Sequence, residues 1–378
     1  MEYNNSRVIQ NMAAWYKRKN YTDAGISLAG ENEIKRQEVQ NEKNSSLPYA
    51  IEVVSENLFV PWALDITSDG RIFFNERNGN IRLIENEILD IAPVYTFIPP
   101  FEAQGEGGLL GLVLDPNFDN NGYFYVMYTY MDSSEFFNRI VRMHYERGNT
   151  TEDKILLDRI PGDRVHNGGR LKIGPDGKLY ATTGDAGKPE LSQDINSLAG
   201  KILRLELDGS VPSDNPFPGS YVYAYGIRNA QGLDWNTNGV LYASGHGDIG
   251  GDEINIIVPG GNYGWPLKEG DFIKPVFDSD KDTIAPSGIA FARSGPFAGK
   301  LMVTALRGTE LLVLTFNESG DQVLNTESYL KNEYGRLREV HSAPDGSIYI
   351  ATSNLDGRGL PNPGDDKIFR LVPVLQEK

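Results

Sequence analysis

His166, one of only four histidines in the chain, stands in RVHNGG, two residues before a glycine-led alternating strand. Asp185 follows the return strand in TTGDAG, with the turn GPDG between them. An antiparallel hairpin brings the chain back to the end from which it set out, so its two flanks share one end. A carboxylate that accepts one imidazole N–H fixes the tautomer and leaves the other ring nitrogen a better base. The pair therefore reads as a general base with its orienting acid. Separate loop hydrogen bonds by two unrelated side chains are the alternative.

A second group is basic. Arg228 and Asn229 lie in YGIRNAQG, Arg307 in TALRGTE, and Arg336 and Arg338 in YGRLREV. Residues two apart on a strand share a face, so Arg336 and Arg338 project together. In a chain of net charge −16, four arginines at matching places suggest an anionic ligand, because the planar guanidinium grips carboxylates at two points. Salt bridging to the surplus Asp and Glu is the competing account. A third stretch, SGHGDIGGDEINIIVPGGNYGWP, combines glycines with Asp248, Asp252 and Glu253. Backbone carbonyls and carboxylates are the oxygen donors Ca²⁺ prefers, although the spacing is not that of an EF-hand and a plain turn-rich connection would look similar. Its NYGWP end reads as packing.

These residues must be held by a repeated scaffold. An apolar strand, a Pro/Asp/Gly/Asn turn and a Tyr/Ile/Val/Phe-rich return strand recur six times, starting near Pro61, Gly107, Gly168, Ala230, Pro286 and Leu337. Asp-Gly and Asn-Gly turns supply the positive φ a tight hairpin needs. A spacing of roughly 50 to 60 residues fits one four-stranded antiparallel blade with its loops. The expectation is an all-β, six-bladed β-propeller over residues 49–378, with no long helix and its ligand site at one mouth of the axis. Residues 1–48 are polar, and read as a helical or disordered extension.

Composition narrows the function. The absence of cysteine excludes disulfides, thiolate metal sites and a cysteine nucleophile. The acidic balance argues against nucleic acid and anionic membranes as partners, and no segment approaches the ~18 apolar residues of a membrane span. The amino terminus lacks the charged-then-apolar pattern of a secretory leader. There is no G-x-G-x-x-G opening a helix, P-loop, H-E-x-x-H or G-x-S-x-G.

Taken in order from Leu58 to Leu371, NERNGNIRLI, GEGGLLGLVLDPNF, HNGGRLKIGPDGKLYATTGDAG, LAGKILRLELDG, YGIRNAQGLDW, GGDEINIIVPGGNYGWP and LREVHSAPDGSIYI resemble the soluble aldose sugar dehydrogenases dependent on pyrroloquinoline quinone (PQQ), relatives of soluble glucose dehydrogenase. The resemblance implies a six-bladed propeller that oxidises aldoses at C1 and passes electrons to an external acceptor such as a quinone, cytochrome or dye. It implies that His166 is the base and Asp185 its orienting acid. Arg228 and Asn229 would contact the reactive quinone oxygens, and Arg336 and Arg338 the cofactor carboxylates. Ca²⁺ would be held by the carbonyls of Gly247 and Asp248, and a further calcium by Glu253 and the backbone of Tyr263.

The chain departs from the soluble glucose dehydrogenases at Glu106, where they carry glutamine, and at Arg307, where they carry lysine; both are cofactor-side positions. Val165 stands where they have an aspartate, and Asp248 where they have a proline. The family works outside the cytoplasm. Two rival readings are a Ca²⁺-dependent lactonase-like propeller and a non-catalytic binding propeller.

Overall fold

In a computed structural model of the chain, residues 46–374 are described; the extension up to residue 45 lies outside them. Six antiparallel sheets are arranged as blades, each built on a first strand beginning within three residues of a repeat start read from the sequence. Blade 1 comprises Pro61–Ile66, Ile72–Glu76, Asn80–Glu85 and Ile88–Leu89, with Tyr95–Thr96 pairing to its third strand. Blade 2 has the longest strands, Leu109–Leu114, Tyr123–Asp132, Glu135–Glu146 and Asn149–Pro161. Blade 3 is Leu171–Ile173, Leu179–Thr182, Lys201–Leu205 and Val222–Tyr225, and blade 4 is Ala230–Trp235, Leu241–Gly245, Glu253–Ile257 and Phe277–Asp278. Blade 5 is Pro286–Phe291, Leu301–Ala305, Glu310–Phe316 and Val323–Tyr329.

Blade 6 is assembled from two distant parts of the chain. Leu337–Ser342, Ile348–Thr352 and Ile368–Pro373 are joined by Tyr49–Ser55, which pairs from Tyr49↔Pro373 to Ser55↔Ile368 with one irregularity after Val53. That pairing closes the ring, which protects strand edges.

Three of the first strands are covered on both faces, polar positions such as Gln231, Asp234 and Ser287 included. Leu109–Leu114, Ala230–Trp235 and Pro286–Phe291 are buried at every position. The core is a ring of six apolar clusters, one at each blade-to-blade boundary. Residues such as Phe73, Leu203 and Leu301 are fully buried there, each stabilising the stack by about 1.5–3 kcal/mol. The glycines of the Asp-Gly turns, Gly70, Gly177 and Gly346, take φ of +88°, +74° and +87°, the conformation the hairpins require. Among the described residues the helices are a four-residue α-helix, Phe118–Asn121, and a 3₁₀ turn, Pro189–Ser192. None is long and apolar enough to cross a membrane.

Candidate active site

Two places recur among the residues of the site: the approach to a blade's first strand and the exit from its second. Glu106, His166, Arg228, Asn229 and Arg336 occupy the first, with Arg338 inside its strand; Asp185 and His246 occupy the second. Antiparallel pairing puts both places at one mouth of the ring.

His166 and Asp185 meet as the hairpin geometry predicted. His166 Nδ1 lies 2.7 Å from Asp185 Oδ1. The carboxylate is fully buried, and burial pushes its pKa up. The His166 ring, the Trp265 indole N–H and the Gly187 N–H outweigh burial and hold it below the usual carboxylate range. An ionised carboxylate only accepts, so Nδ1 carries the proton and Nε2 offers its lone pair. Trp265 Nε1 donates to Oδ2 at 2.8 Å and the Gly187 N–H to Oδ1 at 2.9 Å. The NYGWP stretch thus does more than pack: its tryptophan completes the acceptor shell of Asp185.

His166 itself has a φ of +54°, a left-handed conformation that costs a non-glycine residue about 1–2 kcal/mol. Two contacts hold it there. Glu106 Oε2 accepts its backbone N–H at 2.9 Å, and its carbonyl accepts from Ala186 N at 3.1 Å. Gly184 has no Cβ to strike that carbonyl, which allows the two loops to approach.

The cavity beside this pair is lined by Trp62, Arg77, Glu106, His246, Arg336, Arg338, Asp356 and Arg358, among others. Asp356 Oδ2 pairs with Arg336 Nε at 2.8 Å and lies 3.4 Å from Arg338 Nη2. Arg77 donates to the Asp356 carbonyl at 3.3 Å. Arg358 pairs with Glu106 Oε1 at 2.7 Å. Four guanidinia therefore face two carboxylates. Burial pulls Arg338 down to about 9; Asp356 opposes this, while Arg77, Arg336 and Arg170 add to it. Arg228 stacks 5.4 Å from the centre of the Trp265 ring, with Asp248 3.5 Å away, and its buried Nε has no partner among the described residues. Surplus positive charge and an unpartnered buried donor fit an anionic, multiply carboxylated ligand.

Asn229 is fixed on both sides. Its Oδ1 accepts from Gly168 N at 3.0 Å, and its Nδ2 faces His246 Nδ1 at 3.4 Å. His246 Nε2 donates to the Pro286 carbonyl at 2.9 Å, and burial pulls its pKa down to about 4, so it is neutral.

At Gly247 a side chain would strike the carbonyls of Gly250 and Gly251, so backbone oxygens converge on this turn. The Gly247 N–H is tied to Asp252 Oδ1 at 2.9 Å. Such a carbonyl-lined cradle suits a hard cation. Asp248 is exposed and its side chain turns toward Arg228. Glu253 sits in register with Asp278, and burial first, then the neighbouring acids Asp278 and Asp252, raise its pKa. Tyr263 buries its hydroxyl against the Ile256 carbonyl at 2.7 Å, leaving its backbone on the adjoining loop.

One expected member stands apart. Arg307 follows the second strand of blade 5 and is exposed, whereas His166, Arg228 and Asn229, which like it do not line the cavity themselves, are half-buried or buried at its margin beside the lining residues Asn167 and Gly168. Conversely, Arg77, Asp356, Arg358, His246 and Trp265 were not singled out from sequence. The usable signal was position: Arg77, His246 and Asp356 each lie just after a second strand, as Asp185 does.

Fold and site define a six-bladed propeller with an arginine-lined axial mouth and a half-buried histidine paired to a buried aspartate. The chain belongs to the Glucose / Sorbosone dehydrogenase family, whose model matches residues 58–361. It is 32% identical over 340 residues to an aldose sugar dehydrogenase of Escherichia coli, covering 81% of this chain and 91% of that protein. It is 36% identical over 274 residues to quinoprotein glucose dehydrogenase B of Acinetobacter calcoaceticus, covering 64% of this chain and 57% of the relative. The solved PQQ-bound form of an aldose sugar dehydrogenase from Streptomyces coelicolor matches with a TM-score of 0.76 and 37% identity, over 85% of this chain and 98% of that one.

Proposed function

We propose that the protein oxidises aldose sugars such as glucose at C1 to the lactone, with PQQ as resident cofactor, and hands the electrons to an external acceptor. The observation that carries this reading is the juxtaposition of an oriented His166 base with a cavity of surplus guanidinia. When bound, the quinone supplies the two-electron hydride acceptor, with Ca²⁺ on the Gly247 and Asp248 carbonyls as its Lewis acid.

The chain's own residues do the rest. His166 Nε2 takes the proton of the C1 hydroxyl, while Asp185 holds the ring and stabilises the imidazolium that forms. Arg338 and Arg336, already ordered by Asp356, grip the cofactor carboxylates. Arg228 and Asn229 would hold the reacting end of the cofactor, and the unpartnered Nε of Arg228 would supply a donor for negative charge there. Glu106 braces the base by its backbone rather than by its ring. Glu253, with the backbone of Tyr263, takes a further calcium, which would relieve the crowding of Glu253 by Asp278 and Asp252. Exposed Arg307 reaches the ligand only by swinging inward. By family the protein acts outside the cytoplasm.

The lactonase-like alternative needs several carboxylate side chains converging on one metal. No group of three such residues is found among the described ones. One assay tests the reading: apoprotein loaded with PQQ and Ca²⁺ should reduce an electron-acceptor dye when given glucose or another aldose. Cofactor binding without dye reduction by any sugar overturns it.

A further inference from the structure

Lys201 opens the third strand of blade 3 and is fully buried, yet no described carboxylate pairs with it. Its ammonium instead donates to three backbone carbonyls of one segment: Leu191 at 2.8 Å, Ser192 at 3.0 Å and Ala199 at 2.5 Å. Burying a cation costs several kcal/mol; burial pulls Lys201 down to about 7, with Asp194 opposing. The three carbonyls occupy all three donors and favour the charged form. A methionine or leucine would fill this space without that cost, so what the ammonium holds is informative.

The segment it fastens contains only a short 3₁₀ turn and is gripped on its other side by the active-site loops. Ser192 Oγ donates to the Ile227 carbonyl at 2.9 Å, and the Ser192 carbonyl accepts from Gly226 N at 2.9 Å. Ile227 directly precedes Arg228. Gln193 Nε2 donates to the Trp265 carbonyl at 2.6 Å and to Asn262 Oδ1 at 3.1 Å, and Asn262 Nδ2 returns a bond to Gln193 Oε1 at 3.0 Å. Trp265 then holds Asp185, which holds His166. The Asp185 N–H also donates to the Arg228 carbonyl at 2.8 Å.

We propose that Lys201 is a positioning residue for the active site: by fastening residues 191–199 it sets Trp265 and Arg228 together, and through Trp265 the orientation of Asp185 and His166. One buried cation thus reaches both halves of the site, the proton-accepting pair and the guanidinium, without touching either. The inference rests on the roles proposed above for His166 and Arg228.

The test compares wild type, Lys201→Met and Gln193→Ala, beginning with the apoprotein. The ¹⁵N resonance of the Trp265 indole, assigned with Trp265→Phe, reports the bond to Asp185 without cofactor or sugar. Lys201→Met should move that resonance toward an unbonded indole, because the loosened 191–199 segment no longer holds Trp265 against Asp185. Loaded with PQQ and Ca²⁺, the variant should lose about 10- to 100-fold in kcat, the usual range for a group supporting a ligand or base. KM for the sugar should be little changed, and the acid limb of the pH profile should move to higher pH. Gln193→Ala, which breaks a later link, should show a smaller version of the same pattern, and it decides the matter if Lys201→Met does not fold. An unmoved indole resonance and acid limb in a folded variant overturn the proposal, even where wild-type sugar oxidation is intact. If wild type oxidises no sugar, the sugar-oxidation reading falls, and the apoprotein resonances still decide the relay.

Discussion

Trp265 and His166 each claim one oxygen of Asp185: the indole N–H donates to Oδ2 at 2.8 Å and the imidazole Nδ1 to Oδ1 at 2.7 Å. The carboxylate is thus polarised from two blades at once. Trp265→Phe keeps an aromatic ring beside Arg228 and removes the donor together with the pyrrole part of the indole. Hydrogen bonds to charged groups contribute about 1.5–3 kcal/mol, so the acid limb of kcat/KM should shift to higher pH, with kcat down about tenfold. A pH profile of dye reduction measures this, and an unchanged limb would show that the bond has no part in setting the base.

His166→Ala should lower kcat by about 10²-fold or more, the range for loss of a general base, while PQQ still binds, since no cofactor-gripping arginine is touched. Asp185→Asn should also lower kcat steeply, because an amide no longer demands a proton on Nδ1. Titrating cofactor fluorescence alongside turnover separates binding from chemistry.

The arginine pair gives a binding prediction. Arg338→Met should weaken PQQ binding by about 10- to 100-fold, from the loss of one charge-assisted contact. Asp356 keeps Arg336 at 2.8 Å, so the variant leaves no bare buried charge. Glu106→Gln should act oppositely: the amide oxygen can still accept the His166 N–H, while a carboxylate facing an anion disappears. Binding about three- to tenfold tighter is expected, near 1 kcal/mol. Equilibrium dialysis of the two variants reads both signs.

His341, in the first strand of blade 6, predicts an acid weakness unrelated to the site. Burial pulls it down to about 4, against the pull of Asp65, 3.9 Å away, and of Asp234. The unfolded chain takes up its proton near 6.5 and the folded chain only near 4, so stability falls as pH drops through that window. With 16% of the side chain still accessible, the contribution is discounted to about 1–2 kcal/mol. His341→Gln should flatten the decline of Tm between pH 6.5 and 4; an identical slope would count against it.

How far the chain could be read before folding depended on the range of each relationship. Six blades were legible because each hairpin carries its own turn chemistry, and His166 met Asp185 because one hairpin links them. Tyr49–Ser55 carries no hairpin of its own, and its partner is Ile368–Pro373, at the other end of the described chain. Repeat counting had nothing with which to place it. Trp265 is 80 residues from Asp185, and no local pattern specifies contact across a blade boundary. Arg307 shows the reverse limit: an equivalent place in a repeat fixes the backbone, while the loop decides whether the side chain turns inward.

The ring's seam also sets an order of events during synthesis. Arg336, Arg338 and Asp356 all belong to blade 6, whose sheet is finished only when Ile368–Pro373 pairs on both sides, with Ile348–Thr352 and with Tyr49–Ser55. A nascent chain has made the His166–Asp185 hairpin long before Ile368–Pro373 is available to complete the sheet behind Arg336 and Arg338. A chain cut short before residue 368 would leave Ile348–Thr352 and Tyr49–Ser55 without the partner strand they share, so Arg336, Arg338 and Asp356 would stand on an unfinished sheet while His166 and Asp185 stay within one hairpin.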